Sequence, residues 1–123
     1  MRAKKGCFVG RLTTHVLDMA HGCPGAGIAV RLYTDDGFEP IARATTNADG
    51  RCDAPLLEGP TMKPGRYILA FEAGAYFRDK GMVLADPPFL DTVRIAFGIA
   101  DAEGHYHVPL LLSPFGYSTY RGS

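Results

Sequence analysis

Apolar residues in this chain recur at every second position over short runs, and Gly, Pro, Asn and Asp clusters separate the runs. The clearest run is His105 to Ser113, where Tyr106, Val108, Leu110 and Leu112 alternate with His107, Pro109 and Leu111. A period of two belongs to strands with one buried face. Read this way, strands are expected near 8–18, 27–34, 39–46, 51–53, 65–73, 91–98, 105–113 and 115–121. Eight such strands predict an all-β sandwich of two four-stranded sheets. Between them, 21–27 and 34–37 read as loops, and Asn47-Ala48-Asp49-Gly50 reads as a tight turn because these residue types adopt positive φ cheaply. A glycine-bounded stretch, 74–81, is the single helical candidate, and Asp86-Pro87-Pro88 stops any continuation.

Composition narrows the picture. A chain of 123 residues fits one domain, here 1–123, and 15 Gly with 9 Pro favour many turns over long helices. Thirteen basic residues balance thirteen acidic ones, so no long-range field draws the chain to nucleic acid or anionic lipid. The Met1 to Lys5 segment is basic, but the apolar run after it is too short for a secretory signal, and no membrane span is expected. Cys7, Cys23 and Cys52 are odd in number and lack a C-x-x-C spacing, which suits free thiols in a reducing cytoplasm.

Parity then sorts the candidate chemistry. Thr13, His15 and Leu17 share one face of the first strand, and His107, Pro109 and Leu111 share the outer face of the seventh. The eighth groups Ser118 with Tyr120 and turns Tyr117 toward the core. If the three strands adjoin, a face carrying His15, His107, Ser118 and Tyr120 among apolar side chains is too apolar to stay wet, so a symmetric oligomer with a histidine-lined cleft is expected. Imidazoles titrating near ~6.5 exchange protons with water at neutral pH. Arg51 can hold a planar oxyanion through paired hydrogen bonds, and a Tyr120 or Ser118 hydroxyl can orient a substrate. The residues alone leave plainer readings open: Arg51 as a solvated edge residue, His21 as a solvated loop residue, and His105 at a strand edge. His105 and His107 could form an i, i+2 metal pair, yet no third ligand has fitting spacing. Ser118 lacks a nucleophile elbow.

Three separated segments carry a family resemblance: Leu12-Thr13-Thr14-His15-Val16-Leu17-Asp18, Thr45-Thr46-Asn47-Ala48-Asp49-Gly50-Arg51, and His105 through Leu111 running on to Tyr120-Arg121-Gly122-Ser123. Together they resemble the transthyretin-related 5-hydroxyisourate hydrolases from about Gly10 to the end of the chain. That resemblance implies a transthyretin-like eight-stranded β-sandwich, assembled as a homotetramer with active sites at subunit interfaces. It implies hydrolysis of 5-hydroxyisourate to 2-oxo-4-hydroxy-4-carboxy-5-ureidoimidazoline in urate breakdown, by water attack on a cyclic amide and without a cofactor. The residues it assigns are His15, His107 and Arg51 as catalytic groups, with Arg51, Ser118, Tyr120, Arg121 and Ser123 contacting substrate. Which histidine is the base stays open, as does the role of Arg121, whose parity opposes that of Tyr120. The alternative is a small-ligand carrier of transthyretin type. Carriers share the fold but lack both histidines, the arginine and the Tyr-Arg-Gly-Ser ending, all present here.

Overall fold

The computed structural model describes residues 9–122. Outside the described residues lie the basic terminus with Lys4 and Lys5, Cys7, the first residue of the strand expected near 8–18, and the expected substrate contact Ser123.

Alternation decides the inner faces. Strand β1 (Arg11–Asp18) buries Leu12, Thr14, Val16 and Asp18 and turns Arg11, Thr13, His15 and Leu17 the other way. After the two-residue β2 (Cys23–Pro24), strand β3 (Ala29–Thr34) buries Val30 and Leu32. Strand β4 (Ala42–Thr45) is followed by the short β5 (Leu57–Glu58) and a 3₁₀ turn over Gly59–Thr61. Strand β6 (Gly65–Glu72) runs straight into helix α1 (Ala73–Asp79), whose Tyr76 and Phe77 are buried. Strands β7 (Thr92–Ile99), β8 (His105–Ser113) and β9 (Gly116–Thr119) complete the chain.

Two sheets pack face to face. One has the order β4-β3-β6-β7; in the other the path is β2-β1-β8-β9, with β5 pairing β1 at its opposite end from β2. Counting the two-residue strands, the second sheet has five strands rather than the expected four. Such short pairings leave no periodicity to detect. The stretch 51–53 is not a strand, and Arg51 makes only an isolated bridge to His15. In the core, Leu12, Val16, Leu32, Leu69, Phe71, Leu110 and Leu112 of the strands and Phe77 of the helix are fully buried, each contributing about 1.5–3 kcal/mol of apolar burial.

For the site, the decisive pairing is β1 beside β8. They run parallel, with Thr13 opposite His107 and His15 opposite Pro109. A parallel pair this far apart in sequence needs a long crossover, and here the whole other sheet lies between them in the chain. The outer face of β1 and β8 therefore collects residues from the first and last quarters of the sequence.

Candidate active site

On that outer face, His107 stands at the centre of a polar cluster. Its Nδ1 lies 2.8 Å from the Thr13 hydroxyl, which is also 3.3 Å from His105 Nε2. The rings of His105 and His107 are 6.5 Å apart. Burial, then the charges of Arg51, His15 and His105, hold the His107 pKa below the ordinary histidine value. With no carboxylate among those influences, the ring stays neutral at neutral pH and can accept a proton.

Arg51 arrives on a constrained turn. Asn47 Oδ1 accepts from the backbone N–H of Asp49 (2.9 Å) and of Arg51 (3.2 Å), while Asn47 Nδ2 donates to Asp53 (2.9 Å). Gly50 sits at φ 78°, and a Cβ there would come within 2.4 Å of the Val16 carbonyl oxygen. Only glycine allows that approach. The Val16 N–H donates back to the Gly50 carbonyl at 2.8 Å, which locks the turn against β1. Because His15 Nε2 lies 3.0 Å from the Asp49 carbonyl, which can only accept, Nε2 carries a proton. The turn thus fixes the His15 ring as well as Arg51.

Arg51, Thr13, His105 and His107 line one cleft of about 380 Å³, together with Arg11 and Asp53. A larger cleft of about 660 Å³ opens between β7 and β9, lined by Ile95, Phe97, Ile99, Tyr106 and Val108. Histidines are absent from its lining. The smaller cleft is where proton-transfer groups and a guanidinium meet. Among the described residues, no three His, Cys, Asp or Glu side chains gather to hold a metal ion.

Each expected contact has a definite place. His15, His107 and Arg51 come together within the chain. Ser118 does not join them: it pairs with Leu111, four residues along β8 from His107, a separation of about 13 Å. Tyr120 and Arg121 line the larger cleft, and the Arg121 guanidinium lies 4.1 Å over the Tyr106 ring. Tyr117 was expected in the core but is 45% exposed, because β9 is the last strand of its sheet. Pro109 points outward as expected yet is buried, since Gly122 of the tail crosses it. His21 is not simply a solvated loop residue: Nδ1 donates to Asp18 at 2.7 Å and the ring stacks on Phe77 at 6.3 Å.

Parity put Thr13 and His105 on the outer face with the candidate histidines but gave neither a catalytic part. Asn47 was read only as a turn residue, of a type that bonds its own backbone. Gly122 is a further contributor. Its N–H donates to the His107 carbonyl at 2.8 Å, and a Cβ there would meet the His107 ring at 2.7 Å. The tail glycine is thus the floor under the His107 imidazole.

Comparison with known proteins adds three findings. The HIUase/Transthyretin family profile matches residues 12–122. A Pseudomonas aeruginosa protein named 5-hydroxyisourate hydrolase is 60% identical over 117 residues, covering 94% of this chain and 93% of that protein. The solved structure of Klebsiella pneumoniae 5-hydroxyisourate hydrolase is 37% identical with a TM-score of 0.78, covering 93% of this chain and 99% of its own. An (S)-allantoin synthase structure is 42% identical with a TM-score of 0.88; it covers 94% of this chain, which spans 44% of that longer protein.

Proposed function

The chain belongs to the HIUase/Transthyretin family, and from that membership we propose how its outer-face cleft carries out a hydrolase reaction. The protein is a 5-hydroxyisourate hydrolase, an enzyme that opens a cyclic amide with water. One observation carries the assignment of the site: His107, held neutral by burial and by neighbouring positive charge, shares a cleft with Arg51.

In this reading His107 Nε2 takes a proton from the attacking water, and the Arg51 guanidinium holds the oxyanion that forms at the carbonyl. The C–N bond of the ring then breaks, and the proton returns from His107 to the departing nitrogen. His15, with Nε2–H committed to the Asp49 carbonyl, offers its remaining nitrogen to water or substrate. Ser118, Tyr120, Arg121 and Ser123 are assigned as substrate contacts. Since Ser118 and Tyr120 stand apart from His107 within one chain, they reach substrate from a neighbouring subunit of a homotetramer. An exposed β9 edge, with Tyr117 exposed on it and Phe115 exposed just before it, supports self-association. Residues 1–123 are read as one such domain acting without a cofactor, with no nucleic-acid or membrane partner. Unpaired Cys23 and Cys52 support a cytoplasmic location; among the described residues no helix is long and apolar enough to cross a membrane.

Ultraviolet progress curves on freshly made 5-hydroxyisourate, with and without the protein, test the reading. Acceleration over spontaneous decay that disappears in His15→Ala, Arg51→Ala and His107→Ala supports the site. Undiminished acceleration in all three removes it.

A further inference from the structure

The Thr13 hydroxyl stands between two imidazoles, 2.8 Å from His107 Nδ1 and 3.3 Å from His105 Nε2. A hydroxyl has one proton to donate. It can therefore donate to only one of the rings and must accept from the other, so the two histidines are held in complementary states. His107 works as a base through Nε2 only when Nδ1 carries its proton; that requires Nδ1–H to donate to Thr13 and the Thr13 O–H to donate to His105.

We infer that Thr13 and His105 are positioning residues for the hydrolase reaction, forming a proton relay that sets which nitrogen of His107 faces substrate and lets the ring change from base to acid. The inference rests on the proposed role of His107. When His107 Nε2 takes a proton from water, its Nδ1 proton passes to the Thr13 oxygen and the Thr13 proton passes to His105 Nε2. One proton enters the relay and one is stored at its far end, with no net change at Thr13. His107 is then a neutral Nε2–H acid, ready to protonate the departing ring nitrogen, after which the relay runs back. His105 is exposed, whereas His107 is half-buried, so the stored charge sits where water can solvate it. Arg51 and His15 disfavour a charge on His107, and Arg11, the strand partner of His105, disfavours one there, so the direction of transfer rests on the greater exposure of His105. The cleft's carboxylate, Asp53, is already engaged by Asn47.

The ring tautomers are read by nitrogen NMR on the intact protein, and kcat, KM and the pH-rate profile by the absorbance assay. The wild type should show His107 protonated at Nδ1, and Thr13→Val should lose that preference. Thr13→Val should lower kcat about ten- to a hundredfold with KM little changed, Thr13→Ser should recover to within about threefold, and His105→Asn should lose about three- to tenfold. His105→Asn should also alter the acid limb of the profile. An Nε2–H wild-type His107, or a Thr13→Ser as impaired as Thr13→Val, overturns the relay. Wild-type kcat and pH profile in His105→Asn remove His105 from it. A wild type that fails to accelerate hydrolysis defeats the functional reading alone, because the tautomer measurement decides the hydrogen-bond chain without activity.

Discussion

Strand β1 carries two polar clusters, one near each end and on opposite faces, and they differ in how completely their hydrogen bonds are used. Inside, Asp18 is 1% exposed and fully engaged. Its Oδ1 accepts from the N–H groups of Ala20 (2.9 Å) and His21 (3.0 Å), and its Oδ2 accepts from His21 Nδ1 and Tyr76 O–H, both at 2.7 Å. Outside, among the described residues, His107 has a side-chain partner for Nδ1 only. A saturated cluster fixes geometry; an unsaturated one in a cleft waits for a ligand. The pKa perturbations follow the same division. Burial alone would raise the Asp18 pKa, but the hydrogen bonds from Tyr76 and His21 outweigh it and bring it below the usual carboxylate value. At His107 burial and nearby positive charge act in the same direction.

The strongest way to break this comparison is to remove each central group in turn. His107→Ala should reduce acceleration of 5-hydroxyisourate loss by about 10²- to 10⁴-fold while the thermal midpoint stays close to wild type, read by absorbance and circular dichroism. Asp18→Ala should do the reverse. It leaves Tyr76 O–H and the turn's N–H groups without their acceptor inside the sandwich, at a cost of about 3–5 kcal/mol, seen in denaturant unfolding. A stable Asp18→Ala, or an unfolded His107→Ala, would erase the distinction between the two clusters.

The same contrast marks what the sequence could disclose. Strand β8 was legible to the residue because Tyr106, Val108, Leu110 and Leu112 place a buried apolar residue at every second position, and parity alone assigned Thr13, His15 and His107 to one face. Parity cannot say how far apart two residues of one face lie. That is why Ser118 and Tyr120 were grouped with His107, although register puts Ser118 beside Leu111 and the tail carries Tyr120 to the other cleft. Nor can parity recognise an uncovered edge, so Tyr117 was misplaced. The Asp18 cluster was hidden for another reason. Its members come from a strand end, a Gly-rich loop and a helix 58 residues away, and only the Asp-x-x-His spacing offered a local sign of the Asp18–His21 pair.

A gentler test replaces a neighbour and leaves the central group in place. Arg51→Met removes a positive charge that helps keep His107 neutral. Protonation of His107 then becomes easier, so its NMR titration should move to higher pH. Burial, the larger cause, remains, and the value should stay below that of an ordinary histidine. A move to lower pH would show that Arg51 acts on His107 by something other than charge.

The smallest expected effect is at Tyr76→Phe, and its sign follows from linkage. Because the folded Asp18 pKa lies below its unfolded value, the carboxylate contributes stability that is fully present above the unfolded pKa, about 4, and is lost as pH falls through the folded one. Removing the phenol hydroxyl deletes the largest of the interactions that depress the folded value. Asp18 should then protonate sooner, so acid unfolding should begin at higher pH than in the wild type. At neutral pH the loss should be about 1–2 kcal/mol, since Oδ2 keeps its bond from His21 and the ring keeps its edge-on contact with Phe77 at 5.0 Å. Catalysis by the folded protein should be unchanged, because among the described residues no hydrogen bond links this cluster to Thr13, His105 or Arg51. An acid transition at the wild-type pH, measured by fluorescence or circular dichroism, would mean that the buried carboxylate does not govern stability at low pH.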